Sequence, residues 1–172
     1  MKRHLILVGL PGAGKSTVGR LVAANLQVPL QDIDTTIEAK LGITIADIFA
    51  TRGEAEFRRL EQSETATALA GETAVIVPGG GWAAQPGNLE SVAGRVATVY
   101  LATSVETAVR RLSAGETRPL LIASDPTAQL RDLAAARKPY YEKCDHHIWT
   151  DGKNAEQVAN EVTELALESG AL

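Results

Sequence analysis

The sequence predicts an α/β fold, a mostly parallel β-sheet with helices on both faces. Short apolar runs alternate with longer helical runs along the 172 residues. The first apolar run, His4-Leu5-Ile6-Leu7-Val8, leads straight into Gly9-Leu10-Pro11-Gly12-Ala13-Gly14-Lys15-Ser16, which has the G-x-x-x-x-G-K-[ST] spacing of a phosphate-binding loop. Apolar residues make up 45% of the chain and charged residues 22%, enough to fill one core-bearing domain over residues 1–172.

The elements follow in order. Residues 4–8 are the first strand, and Lys15 to Leu26 the first helix. Pro29 to Ile33 is a short second strand. Asp34 to Lys40 and Thr44 to Ala50 read as short helices separated by Gly42, and Thr51-Arg52-Gly53 as a break. Glu54 to Leu69, rich in Ala and Glu, is a long helix. Ala74-Val75-Ile76-Val77 is a strand ending in Pro78-Gly79-Gly80-Gly81. Ala97 to Leu101 is a strand and Val105 to Leu112 a helix with Arg110 and Arg111 near its end. Ser113 to Pro126 lacks periodicity and reads as a long functional loop. Gln129 to Tyr141 is helical, His147-Ile148-Trp149 a final edge strand, and Ala155 to Glu168 a closing helix. Ser169 to Leu172 is expected to fray.

Charge and cysteine content narrow the function classes. The formal net charge is −4, without the basic excess of nucleic-acid binders, though a few Arg in one cleft still suit an anionic substrate. The single cysteine, Cys144, cannot form an internal disulfide, and no Cys/His cluster has metal-site spacing. A cytoplasmic protein is the expectation. Lys2-Arg3-His4 followed by Leu5–Leu10 imitates the start of a secretory signal, but the apolar stretch is too short and Pro11, Gly12 and Lys15 interrupt it. No segment reaches membrane-spanning length, so no membrane partner is expected.

The phosphate loop has a definite chemistry. Its glycines let the backbone wrap an anion with N–H groups inward, and the helix starting near Lys15 adds the positive end of its dipole. Lys15 is expected to reach the β- and γ-phosphates of a nucleotide, and the Ser16 hydroxyl to ligate Mg²⁺.

Other residues admit two readings. Asp32 and Asp34 lie at the carboxyl end of the second strand, where ligands bind in open parallel sheets. Alternation points both carboxylates the same way, toward Mg²⁺ water or a substrate hydroxyl; alternatively, Asp34 caps the helix beginning at Thr35. Arg58, Glu61 and Glu54 are helical neighbours, a spacing typical of solvated surface bridges. Gly79-Gly80-Gly81 serves either a turn or a close backbone approach to ligand. Arg118 lies in the long loop, where a lid carries a cation over phosphate. Arg137, near a helix end, suits dipole compensation. His4 reads as strand-flanking surface, and Phe49, Phe57 and Trp82 as either core or pocket wall.

Taken together, these stretches resemble the shikimate kinase family in order and spacing: Gly9–Thr17, Asp32-Ile33-Asp34, Ile45–Phe49, Gly53-Glu54 with Phe57-Arg58-Arg59-Leu60-Glu61, Gly79-Gly80-Gly81, Arg118-Pro119-Leu120-Leu121 and Arg137-Lys138-Pro139-Tyr140-Tyr141. The resemblance covers nearly the whole chain. It implies a nucleoside-monophosphate-kinase-like P-loop fold, with a five-stranded parallel sheet and a lid at about 113–126. It also implies transfer of the γ-phosphoryl of ATP to the 3-hydroxyl of shikimate. A monomer is expected. On this pattern Gly12, Ala13, Gly14, Lys15, Ser16 and Thr17 hold phosphate, with Arg111, Arg118, Lys153 and Asn154 also on the nucleotide. Ser16 and Asp32 hold Mg²⁺. The shikimate region spans about 32–61: Asp34 takes the hydroxyls and serves as base, and Arg58 and Arg137 hold the carboxylate. Glu61 steadies Arg58, and Gly79, Gly80 and Gly81 contribute backbone. Lys15, Asp34 and Arg118 form the catalytic set.

Trp82 is larger than the residues expected after the triple glycine, which leaves open whether it reshapes the pocket rim. Pro78 removes a backbone donor there, and the segment around Lys153-Asn154 matches the family loosely. A kinase for another small hydroxylated acid, such as gluconate, and a non-catalytic nucleotide-binding module are the alternatives.

Overall fold

The computed structural model describes residues 4–114 and 124–172. The strands are β1 (Leu5–Val8), β2 (Leu30–Asp32), β3 (Val75–Val77), β4 (Ala97–Ala102) and β5 (His146–Trp149). They form one five-stranded sheet in the order β2-β3-β1-β4-β5, and every pairing is parallel. The side-chain pattern explains the order. β1 and β3 are buried throughout, as central parallel strands covered on both faces must be. β2 and β5 carry Gln31, Asp32, His146 and His147, and these polar residues suit edges.

Strand alternation divides the core in two. Leu5, Leu7, Val75, Val77 and Val99 face α1 (Lys15–Leu26) and α7 (Ala155–Glu168), whose Val18, Val22, Val158 and Val162 complete that layer. Ile6, Val8 and Ile76 face the other side. They meet Ile33 and Ile37 of α2 (Ile33–Leu41), Ile48 and Phe57 of α3 (Ile45–Ala70), and Leu130 and Tyr141 of α6 (Pro126–Tyr141). Each fully buried aliphatic side chain contributes about 1.5–3 kcal/mol. From β1 the chain passes first to β2 and β3 on one side and later to β4 and β5 on the other. The topological switch thus falls at the carboxyl end of β1, where the phosphate loop begins.

Several boundaries differ from those expected. The break at 51–53 narrows to one residue: α3 runs from Ile45 to Ala70, with Gly53 alone outside helical geometry (φ 82°, ψ 168°), a conformation only glycine adopts without strain. A short helix, α4 (Asn88–Val92), fills the link after the triple glycine; at five residues it is too short for a periodic signal. α5 (Val105–Ser113) takes in Ser113, and α6 begins at Pro126, with Asp125 as its N-cap. Both ends of the expected 113–126 lid therefore belong to helices, and residues 115–123 lie outside the described residues.

The tail is docked rather than frayed. Gly170 N–H bonds Leu167 O and Ala171 N–H bonds Ala166 O, the paired bonds of a Schellman stop, and Ala171 is buried. His4 is also tied in. Its Nδ1 accepts from Ala74 N–H at 3.3 Å and its Nε2 lies 3.1 Å from Leu69 O, joining β1 to the end of α3. No helix among the described residues is long and apolar enough to cross a membrane.

Candidate active site

Two cavities open at the carboxyl ends of the strands. The larger, about 1040 Å³, has the phosphate loop as its floor. Gly14 is the N-cap of α1 and offers no side chain to the helix, and the first turn holds no acidic residue. The leading N–H groups of α1 are thus left for an anion. Lys15 is buried, and its Nζ donates to Gly9 O at 2.8 Å and Leu10 O at 2.9 Å. The ammonium is held within the loop by the loop's own carbonyls.

Arg111 reaches this loop from α5. Its Nη1 lies 3.3 Å from both Gly12 O and Ala13 O, and also 3.3 Å from Thr150 Oγ1. Thr150, just past β5, is a cavity residue that sequence reasoning missed, because a lone Thr carries no local signal. Ser16, Thr17, Lys153 and Asn154 line the same cavity. Lys153 pairs with Glu161 Oε1 at 2.7 Å, and Asn154 closes a capping box with Gln157 at the start of α7.

Asp32 and Asp34 also face this cavity, Asp32 from the last position of β2 and Asp34 from α2. Asp32 is the helix cap: its Oδ1 accepts from Thr35 N–H at 3.4 Å. Asp34 is not a cap and does not lie on the strand. It sits in the first turn of α2, where the helix dipole favours its negative charge.

The smaller cavity, about 50 Å³, is walled by Pro11, Phe49, Phe57, the three glycines 79–81, Arg58 and Arg137, with Asp34 and Ile45 shared with the larger one. Phe49 and Phe57, left open between core and wall, pack at 4.9 Å and do both. Arg58 is mostly buried rather than solvated. Its Nη1 donates to Glu61 Oε2 at 2.7 Å, and its Nη2 lies 3.4 Å from Glu54 Oε1. The surface-bridge reading holds instead for the neighbouring exposed pair, Arg59 and Glu56. Burial raises the Glu61 carboxyl above the ordinary range, and the Arg58 charge opposes that rise.

The triple glycine is explained by close approach. A Cβ at Gly79 would collide with Glu61 Oε1. One at Gly80 would stand 2.9 Å from Arg137 Nη1, and one at Gly81 would strike the Arg58 guanidinium. Charged groups thus press on the bare backbone from three sides. Within this cluster Arg58 Nε, Arg137 Nη1 and Glu61 Oε1 are buried and make no hydrogen bond among the described residues. Buried guanidinium donors left in this state call for an anion.

Trp82 does not reshape the rim. It is 3% exposed and packs in the core with Ile6, Val8 and Ile76. Its carbonyl accepts from Asn88 Nδ2 at 2.9 Å, and its N–H bonds Gly79 O, so the loop turns the ring inward. Pro78 is buried directly behind the glycines. Arg118 lies outside the described residues.

A model of the shikimate kinase family matches residues 11–166. The chain is 41% identical over 170 residues to a shikimate kinase of Symbiobacterium thermophilum, covering 97% of this chain and 98% of that one. It is 46% identical over 143 residues to one from Mycobacterium tuberculosis, covering 83% and 81%. The solved shikimate kinase of Acinetobacter baumannii, in complex with shikimate, superposes with a TM-score of 0.92 at 36% identity, over 98% of this chain and 95% of that one.

Proposed function

This chain belongs to the shikimate kinase family, and we propose that it transfers the γ-phosphoryl of ATP to the 3-hydroxyl of shikimate, giving shikimate 3-phosphate, with residues 1–172 acting as one monomeric kinase domain. The observation that carries the assignment of sites is the position of Asp34. It borders both the phosphate-loop cavity and the Arg-lined cavity, so an acceptor anchored in the second presents a hydroxyl to a donor seated in the first.

Phosphoryl transfer is mainly positioning and charge stabilisation. ATP lies with its phosphates over Gly12 to Thr17, where backbone N–H groups and the α1 dipole receive them. Lys15 exchanges its two carbonyl acceptors for β- and γ-phosphate oxygens. Arg111 steadies the loop from behind, and Lys153 and Asn154 border the nucleoside end. Arg58 and Arg137 grip the shikimate carboxylate through the donors that have no partner among the described residues, with Gly79, Gly80 and Gly81 supplying backbone. Glu61 holds Arg58 in place. Asp34 accepts hydrogen bonds from the ring hydroxyls and takes the proton of the attacking one. On the family pattern, Arg118 completes the charge over the phosphates.

The donor set fits Mg²⁺. The ion keeps several waters and takes only one or two protein oxygens beside phosphate, and Ser16 and Asp32 bring a hydroxyl and a carboxylate to the same cavity. Bound there, it offsets the phosphate charge. Ser16 and Asp32 would hold it, Asp32 through water.

Cys144 is buried, and burial pushes its thiol up to about 12, an inert form compatible with the reducing cytoplasm. A coupled ADP-release assay with shikimate, gluconate and a panel of nucleoside monophosphates tests the function. Turnover confined to shikimate is expected; preference for gluconate or a nucleotide overturns it.

A further inference from the structure

Tyr141 ends α6 and lines neither cavity, yet it touches the backbone of one of them. Its hydroxyl donates to Gly80 O at 2.6 Å. The ring is 1% exposed and stacks on Tyr100 with centroids 4.9 Å apart. Burial pushes its phenol up to about 12, against the charge and hydrogen bond of the Arg137 side chain, so the hydroxyl keeps its proton at neutral pH.

Arg137 lies one turn earlier on the same face of α6. It stands against the Cα of Gly80, as does Gly9 O of the phosphate loop. A single helix face therefore meets Gly80 twice, at its carbonyl through Tyr141 and at its Cα through Arg137. A glycine triplet has no side chain with which to orient itself. In a planar trans peptide the Gly80 C=O and the Gly81 N–H point in opposite directions, so holding one aims the other.

We propose that Tyr141 is a positioning residue for the acceptor: by donating to the Gly80 carbonyl, it sets the plane of the Gly80–Gly81 peptide in the wall shared with Arg58 and Arg137. This rests on the reading of that cavity as the acceptor site. Tyr141 acts through the glycines and touches neither substrate. A purely structural tyrosine would affect stability alone, or both substrates equally.

The test compares Y141F with Y100F, which keeps the ring stack. In Y141F the KM for shikimate rises roughly threefold to tenfold, as expected for one lost neutral hydrogen bond, while the KM for ATP and kcat hold. Y100F leaves both KM values at the wild-type level. A second readout needs no ligand: the Gly81 amide resonance moves in Y141F and stays in Y100F. That measurement decides the peptide-plane claim even if wild type fails to phosphorylate shikimate, a result that would instead remove the reading of the pocket. An unmoved Gly81 amide, or KM values for both substrates rising together, overturns the proposal. Should Y141F not fold, a ring-fluorinated tyrosine at position 141 keeps the shape and changes donor strength; a shikimate KM indifferent to that change overturns it equally.

Discussion

Arg58 and Glu61 form a buried ion pair one helical turn apart, with Nη1 2.7 Å from Oε2 and the Glu61 side chain 1% exposed. Its geometry leaves Arg58 Nε and Glu61 Oε1 without hydrogen-bond partners among the described residues. The pair thus orients a guanidinium toward the pocket without consuming all its donors. Burial of such a pair adds little net stability, but removal of one partner strands the other.

Glu61→Ala should therefore destabilise the fold by about 3–5 kcal/mol and raise the shikimate KM, since Arg58 loses its anchor. Chemical denaturation and steady-state kinetics read both. A folded variant with wild-type stability and wild-type KM contradicts the anchoring role.

The same residue sets a pH dependence. The folded-state pKa of Glu61 is raised above its ordinary value of 4.5, chiefly by burial. The folded protein thus binds this proton more tightly than the unfolded chain. The associated stability is fully present below 4.5 and is lost as pH rises through the raised folded value. Glu61→Gln removes that slope. Urea midpoints measured from pH 4 upward should fall for wild type relative to Glu61→Gln across this window. Parallel curves count against it.

Lys15→Ala should leave the fold in place, because the loop conformation rests on its glycines and the α1 start. Turnover should fall by about 10²–10³-fold or more, the scale of one preorganised charge acting on a transition state. Coupled ADP release with a melting control decides it, and near-normal kcat in a folded variant sinks the mechanism.

Arg137→Lys should raise the shikimate KM about tenfold to a hundredfold with little change for ATP, because an ammonium cannot reproduce the planar fork. Arg58→Ala should act in the same direction. Separate KM determinations for the two substrates distinguish this from general damage; effects confined to ATP would reassign the pocket.

Trp82→Ala should cost about 3–5 kcal/mol of stability by opening a core cavity. At temperatures where it stays folded, the shikimate KM should remain near wild type, because the ring lies in the core and lines neither cavity. A large KM change at full occupancy of the fold would return Trp82 to the pocket rim.

The sequence alone determined the phosphate loop, the alternation of strands and helices, and the parallel character of the sheet. Each is written locally: in contiguous glycines before Lys15 and Ser16, in apolar runs, and in periodicity. The family pattern also groups Asp34, Arg58, Glu61 and Arg137 in one acceptor site. Local physics did not, because i,i+3 spacing reads Arg58 and Glu61 as surface charges.

Only the tertiary structure decided that this pair is buried, since the triple glycine closes on both side chains and Arg137 of α6 joins Arg58 in one cavity wall, groups far apart in the chain. It moved the cap from Asp34 to Asp32, because β2 ends at Asp32, one residue earlier than expected, and α2 starts at once with Ile33. It turned Trp82 inward, because the Gly79–Trp82 turn and Asn88 fix the direction of that loop. It docked the tail through Ala171 and set Tyr141 against Gly80. Periodicity reports which face of an element is apolar; which groups meet across elements depends on packing, and packing is decided only when the whole chain folds.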